Sequence, residues 1–223
     1  MRVLGIDPSL TNYGWALHDS DAVGAHRCLA RGRFQTSAKT LFIDRYIAMR
    51  DALRAHIEQI GVDYGVTRVG LEYPVFNDLY SEGMYGLFLY TCEALRLAQV
   101  DVVFFSPMQI KAHARESLQR PKGWKMMKPD MVEAAKTDCG GKGRWNHNEA
   151  DGYWAAWTAA RFWKLHDGVI GVDDLNPVER KQFTQIHTFT RGKKAGDTVF
   201  KGILHREDER FFRWSQEGLQ DGD

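Results

Sequence analysis

The chain has 223 residues, 43% of them hydrophobic, and a formal net charge of +1 at neutral pH: enough apolar material for a buried core, and too little charge bias to name a partner by itself. No apolar stretch reaches the roughly 20 residues that cross a bilayer as a helix, the first residues lack a basic segment ahead of an apolar core, and the three cysteines are widely spaced with no Cys-x-x-Cys pair. A membrane span, a secretory leader and a zinc or disulfide framework are therefore not expected, whereas a cytoplasmic location with reduced, packing cysteines is.

Residues 2–6 and 13–18 read as two strands joined by the turn PSLTN, with a third strand over 31–35, an antiparallel start. Apolar residues recur at helical spacing from 41 to 60, which predicts a long amphipathic helix. A short strand over 68–72, a helix over 87–98, a strand over 100–105 and a helix over 107–116 follow, and that alternation predicts α/β layering. An Ala- and Trp-rich helix over 149–163 closes the unit. The stretch HDGVIGVDDLNP then reads as a linker, placing a boundary between residues 1–166 and 167–223, and the segment 177–214 reads as a hairpin turning at 194–197.

Two of these strands end in an acid. MRVLGID closes on Asp7 and RVGLE on Glu72, and neighbouring strand ends would bring the two carboxylates together. Adjacent carboxylates repel and raise each other's pKa unless a cation lies between them. Hard oxygen donors without a His/Cys framework favour Mg²⁺ or Mn²⁺, which also take phosphate oxygens. A single strand-end acid is more often an ordinary solvated residue, so the weight rests on the pair. Between Lys111 and Arg144 there are nine Lys or Arg against four Asp or Glu, a local basic patch suited to a phosphate backbone. GGKGRW lacks the spacing and the Ser/Thr of a P-loop, so no nucleotide cofactor is expected there.

Taken together, GIDPSLTNYGWAL, GLEYPVF, SPMQIKAHA with KPDMVEAA downstream, and NEADGYWAAW resemble the RuvC-type Holliday junction resolvases of the RNase H-like superfamily. The order and spacing match over about three quarters of the chain. The resemblance implies an α/β fold, a mixed five-stranded sheet flanked by helices, here followed by a small β-rich C-terminal extension of the sort that suits phage-encoded members. It also implies a homodimer that nicks four-way DNA junctions symmetrically with Mg²⁺ or Mn²⁺, two ions per site. Carried over by position, Asp7, Glu72 and Asp151 match the metal carboxylates. The family's second ligand on the last helix falls at Asn148, so Asn148 or His147 stands as the helper, with Glu149 solvated or an alternative. Lys111 and Lys128 match lysines placed near the cut phosphate, where a cation offsets developing charge. Phe76 or Tyr73 matches an aromatic that stacks on a base at the junction centre. Lys122 and Lys125 lie in a basic loop resembling the family's mobile one, and Lys142 and Arg144 add a second cationic element to the DNA-binding surface. The helix holding Gly83, Gly86 and Phe88 is the expected dimer seam. The implied chemistry is in-line attack by water on the scissile phosphate.

Two alternatives use the same residues: an RNase H-like nuclease for other branched DNA or RNA/DNA hybrids, and a junction-binding protein of weak catalysis, favoured by Asn148. An actin-like ATPase needs two such domains and glycine-bearing phosphate loops, for which 223 residues leave little room. The remaining histidines, His166 and His205 among them, show no ligand spacing.

Overall fold

The computed structural model describes residues 1–73, 82–140, 143–184, 186–188, 198–200, 203–207 and 210–214. Phe76, Lys142 and the expected turn at 194–197 lie outside the described residues. In chain order the elements are β1 (Arg2–Asp7), β2 (Asn12–Asp19), β3 (Cys28–Gln35), α1 (Phe42–Tyr64), β4 (Arg68–Glu72), α2 (Glu82–Leu97), β5 (Asp101–Phe105), α3 (Pro107–Ser117), α4 (Lys128–Asp138) and α5 (His147–His166). They continue with α6 (Pro177–Phe183), β6 (Ile186–Thr188), β7 (Thr198–Phe200), β8 (Ile203–Glu207) and β9 (Arg210–Trp214).

One mixed sheet runs β3-β2-β1-β4-β5-β8-β9, with β1, β4 and β5 parallel and the other pairs antiparallel. The five expected strands form its first five positions. The sheet reaches seven because β8 and β9, from the C-terminal extension, add to the edge at β5. β6 and β7 pair antiparallel as a separate ribbon.

Two helices, α4 and α6, were not expected. α4 is short, and its buried residues Met131, Ala134 and Ala135 make a weak apolar stripe. α6 carried a readable start in Asn-Pro-Val-Glu. The Asn176 side chain accepts from the Val178 and Glu179 amides at 2.9 and 2.8 Å, while Glu179 accepts from the Asn176 amide at 2.9 Å, a reciprocal cap. Among the described helices none is long and apolar enough to cross a membrane.

Strand alternation divides the core into two layers. Leu4, Ile6, Val69, Leu71, Val102 and Phe104 pack with α1 and α2, while Val3, Val103 and Phe105 pack on the other face with α3, α4 and α5. Helix α5 lies on that second face unusually close to the sheet. A Cβ on Gly5 would fall 1.9 Å from the Gly152 carbonyl oxygen, and one on Gly70 would fall 2.5 Å from that of Ala155. Only hydrogen at these two positions lets the helix backbone come down, and the facing residues Ala155, Ala156 and Ala159 are small and fully buried.

Candidate active site

The same alternation aims the acids. Gly5 pairs with Gly70 across parallel β1 and β4, so Asp7 and Glu72, each two residues further on, leave the sheet side by side on the face that α5 covers. On α5, Asp151 precedes Gly152 and lies one turn before Ala155, which puts it on the stripe pressed against the glycines. Asp7, Glu72 and Asp151 thus meet at one end of the sheet. They line a cleft of about 290 Å³ together with Pro8, Ser9, Lys128, His147 and Asn148.

All three carboxyls are held above the ordinary carboxylate range. For Asp7 burial is the main cause, followed by the charges of Glu72 and Asp151, with Lys111 and Lys128 pulling the other way. Burial and then Asp151 raise Glu72, against Lys111. Burial raises Asp151, against Lys111 and Lys128. Asp151 Oδ1 is buried and has no hydrogen-bond partner among the described residues. Three converging acids and an orphaned oxygen are the environment that a hard divalent cation relieves, so these residues fit Mg²⁺ or Mn²⁺.

Lys128 opens α4, where the positive end of the helix dipole disfavours a cation. Asp130 offsets this by accepting from the Met127 amide at 2.7 Å. The Lys128 ammonium lies 3.1 Å from His147 Nε2, and burial, Lys128 and Arg33 push the imidazole pKa down. The neutral ring therefore accepts the lysine proton donor, and His147 stands as the partner of Lys128. Asn148 is 6% exposed and its amide nitrogen donates to the Asn12 carbonyl, which leaves the amide oxygen as its one ligand atom. Glu149 is neither solvated nor in the cleft: it pairs with Arg31 at 3.2 Å and caps α5 through the Asn146 amide at 3.2 Å.

The aromatic and basic residues divide. Tyr73 packs against Phe88 and Phe104, with ring centroids 5.1 and 6.4 Å apart, and is half-buried against the layer under α2. Lys111 is half-buried on α3, while Lys122, Lys125 and Arg144 are exposed. The basic loop also presents Trp124, 45% exposed with the Arg120 guanidinium 5.3 Å over its ring. This residue was passed over in the sequence, although Lys-Gly-Trp-Lys mixes cations with an aromatic in the way single-strand binders do. Gly86 does not open α2 to a second copy. A Cβ there would meet the Tyr46 ring at 2.5 Å, so the glycine seats α2 on α1.

Among solved structures the chain is similar to RuvC from Thermus thermophilus, with TM-score 0.57 and 20% identity over 74% of this chain and 97% of that one. It is also similar to T. thermophilus RuvC in complex with Holliday junction substrate, with TM-score 0.55 and 21% identity over 74% of this chain and 96% of that one. The fold is that of RuvC. Nearly the whole length of RuvC is matched, while about a quarter of this chain falls outside the match. No protein-family model and no curated protein matches the chain in sequence.

Proposed function

We propose that the protein is a divalent-metal-dependent endonuclease of the RuvC type that resolves four-way DNA junctions by paired symmetric nicks. The observation that carries this reading is the meeting of Asp7, Glu72 and Asp151, all with raised pKa values, at one end of the sheet of a RuvC fold. The junction in the T. thermophilus complex supplies the substrate class. Asp7, Glu72 and Asp151 would hold Mg²⁺ or Mn²⁺, with the Asn148 amide oxygen as the further donor. Such ions, when bound, activate water and neutralise charge on the phosphate oxygens.

The chain's own residues do the remaining work. Lys128 and Lys111, close enough to the acids to lower their pKa values, supply positive charge where a pentavalent phosphate gains negative charge. His147 fixes the Lys128 ammonium. Lys122, Lys125 and Arg144 meet the backbone, and Trp124 offers a stacking face. Residues 1–166 form the nuclease unit in this reading, with 167–223 as its extension.

Incubating labelled four-way junction, linear duplex and RNA/DNA hybrid with the protein, with and without Mg²⁺, tests the proposal. Metal-dependent cuts placed symmetrically on opposed junction strands are expected. Efficient cutting of hybrid with little cutting of junction would assign a different substrate, and junction binding without any cutting would make the chain a binding protein.

A further inference from the structure

We infer that His166, His205 and Glu207 form a second metal site, for Zn²⁺ or a similar borderline transition ion, that fastens the C-terminal strands to the nuclease core. It is separate from the carboxylate cleft and independent of the proposed nuclease activity. His166 is the last residue of α5, and His205 and Glu207 lie on β8. Strand periodicity puts His205 and Glu207 on one face, the face of Ile203, which joins the core layer beneath α5. Their candidate ligand atoms and that of His166 all lie within 4.8 Å of one another.

Each ring is oriented by its other nitrogen. His166 Nδ1 is 3.2 Å from Asp167 Oδ1, and that carboxylate is itself held by Arg68, whose second guanidinium nitrogen reaches Asp167 Oδ1 at 3.0 Å. His205 Nδ1 is 3.5 Å from the Ile203 carbonyl oxygen. Both Nε2 atoms then converge on one oxygen, Glu207 Oε2, at 3.2 Å from His166 and 4.0 Å from His205. An imidazole that gives Nδ1–H to a carboxylate or carbonyl and turns Nε2 inward is the usual outer-sphere arrangement of a metal-bound histidine.

Zinc takes histidine nitrogen and carboxylate oxygen at about 2.0–2.2 Å, so tetrahedral ligand atoms sit about 3.3 Å apart. The observed 3.2 and 4.0 Å separations bracket that spacing. Nitrogen-rich donors select such an ion over Mg²⁺. The fourth position faces the exposed side of the cluster, where His166 and Glu207 are 21% and 29% exposed, and takes water.

The test uses the full-length chain stripped with chelator and titrated with Zn²⁺, and with Co²⁺ for its visible absorption. The Asp7→Asn/Glu72→Gln/Asp151→Asn protein serves beside wild type, to silence the cleft. One Zn²⁺ per chain is expected in the triple variant and at least one in wild type, whose cleft can take a further ion, with a raised melting midpoint and a tetrahedral Co²⁺ spectrum in both. Glu207→Gln and His166→Gln, which keep side-chain size at partly exposed positions, should each weaken Zn²⁺ binding at least a hundredfold with an unchanged circular dichroism spectrum. Asp167→Asn should weaken it about tenfold. Three outcomes would overturn the assignment: no Zn²⁺ bound at micromolar concentration, binding lost in the triple cleft variant, or binding unchanged in both Glu207→Gln and His166→Gln.

Discussion

Asp7 and Glu72 are brought together by strand register and Asp151 by a helix backbone pressed to within contact of two glycines, so the three acids repel at a distance that the fold enforces. Asp7→Asn, Glu72→Gln and Asp151→Asn keep shape and remove charge, and each should lower cleavage by at least about a hundredfold, the scale of losing one preorganised electrostatic group. Junction binding, which the proposed function assigns to the basic loop, should persist. The raised pKa values also set a pH dependence for the metal-free protein. A carboxyl whose folded pKa lies above its unfolded value of about 4 binds more protons folded than unfolded between those values. Its contribution is fully present below pH ~4 and is lost as pH rises through the folded value. With chelator present the melting midpoint should therefore fall as pH rises toward neutrality and beyond. Mg²⁺ should restore it, and Asp7→Asn should flatten the fall while abolishing the Mg²⁺ response. A midpoint that ignores Mg²⁺ in wild type would remove the acids as its ligands.

The element that decides the site is α5. Its approach rests on Gly5 and Gly70, so Gly70→Ala should cost about 1–3 kcal/mol of stability as the helix is pushed off the sheet, and should lower cleavage by more than the folded fraction explains, because Asp151 moves with it. Thermal melts and activity measured on the same sample separate the two effects. The loop before α4 is the second decisive element. Its exposed Lys122 and Lys125 and half-exposed Trp124 have little to do with packing. Lys122→Ala/Lys125→Ala should weaken junction binding at low salt and reduce the slope of log K against log salt by about 1 per lysine. Trp124→Ala should weaken binding with an unchanged slope, since stacking releases no counterions. Equal slopes for all three proteins would move the loop away from DNA.

At the scale of the whole molecule, paired nicks on a two-fold junction call for two active sites, most simply in a C2 dimer. The expected seam on α2 has to be redrawn. Gly86 is occupied by Tyr46, and Phe88 packs with Tyr73 and Phe104, so a charge at Phe88 would damage the fold. The outer face of the α1–α2 pair instead exposes Leu89 at 63% and Tyr85 at 48% on α2, with Phe42 at 55% and Ile43 at 48% on α1. Exposed apolar groups gathered on one helix pair suit a partner interface. Leu89→Glu should leave the circular dichroism spectrum and melting midpoint unchanged and shift the protein from dimer to monomer by light scattering. It should also uncouple the two nicks, so that singly cut junctions accumulate. A wild-type protein that is already monomeric with DNA bound would end the dimer reading.

Much of this was present in the chain itself. The strands ending in Asp7 and Glu72 are short apolar runs closed by an acid, α1 repeats its buried residues at helical spacing, and the order of elements through α5 predicts the layered sheet; these are local signals, and local chemistry produces them. What the sequence left open depends on contacts between distant segments. Nothing near Gly86 says that Tyr46 fills the space beside it, nor does the position of Glu149 say that Arg31 holds it away from the cleft. The Ala-rich stripe of α4 is too weak to read without the core it packs against. His166 and His205 show no ligand spacing because they are far apart in sequence, and they come together only when β8 adds to the edge of β5 and lies beside the end of α5. Periodicity fixes which face a side chain takes within its own element. Which side chains then share a site is set by the register of β1 against β4, by the glycine-limited depth of α5 and by the strand that closes the sheet, none of which a single segment encodes.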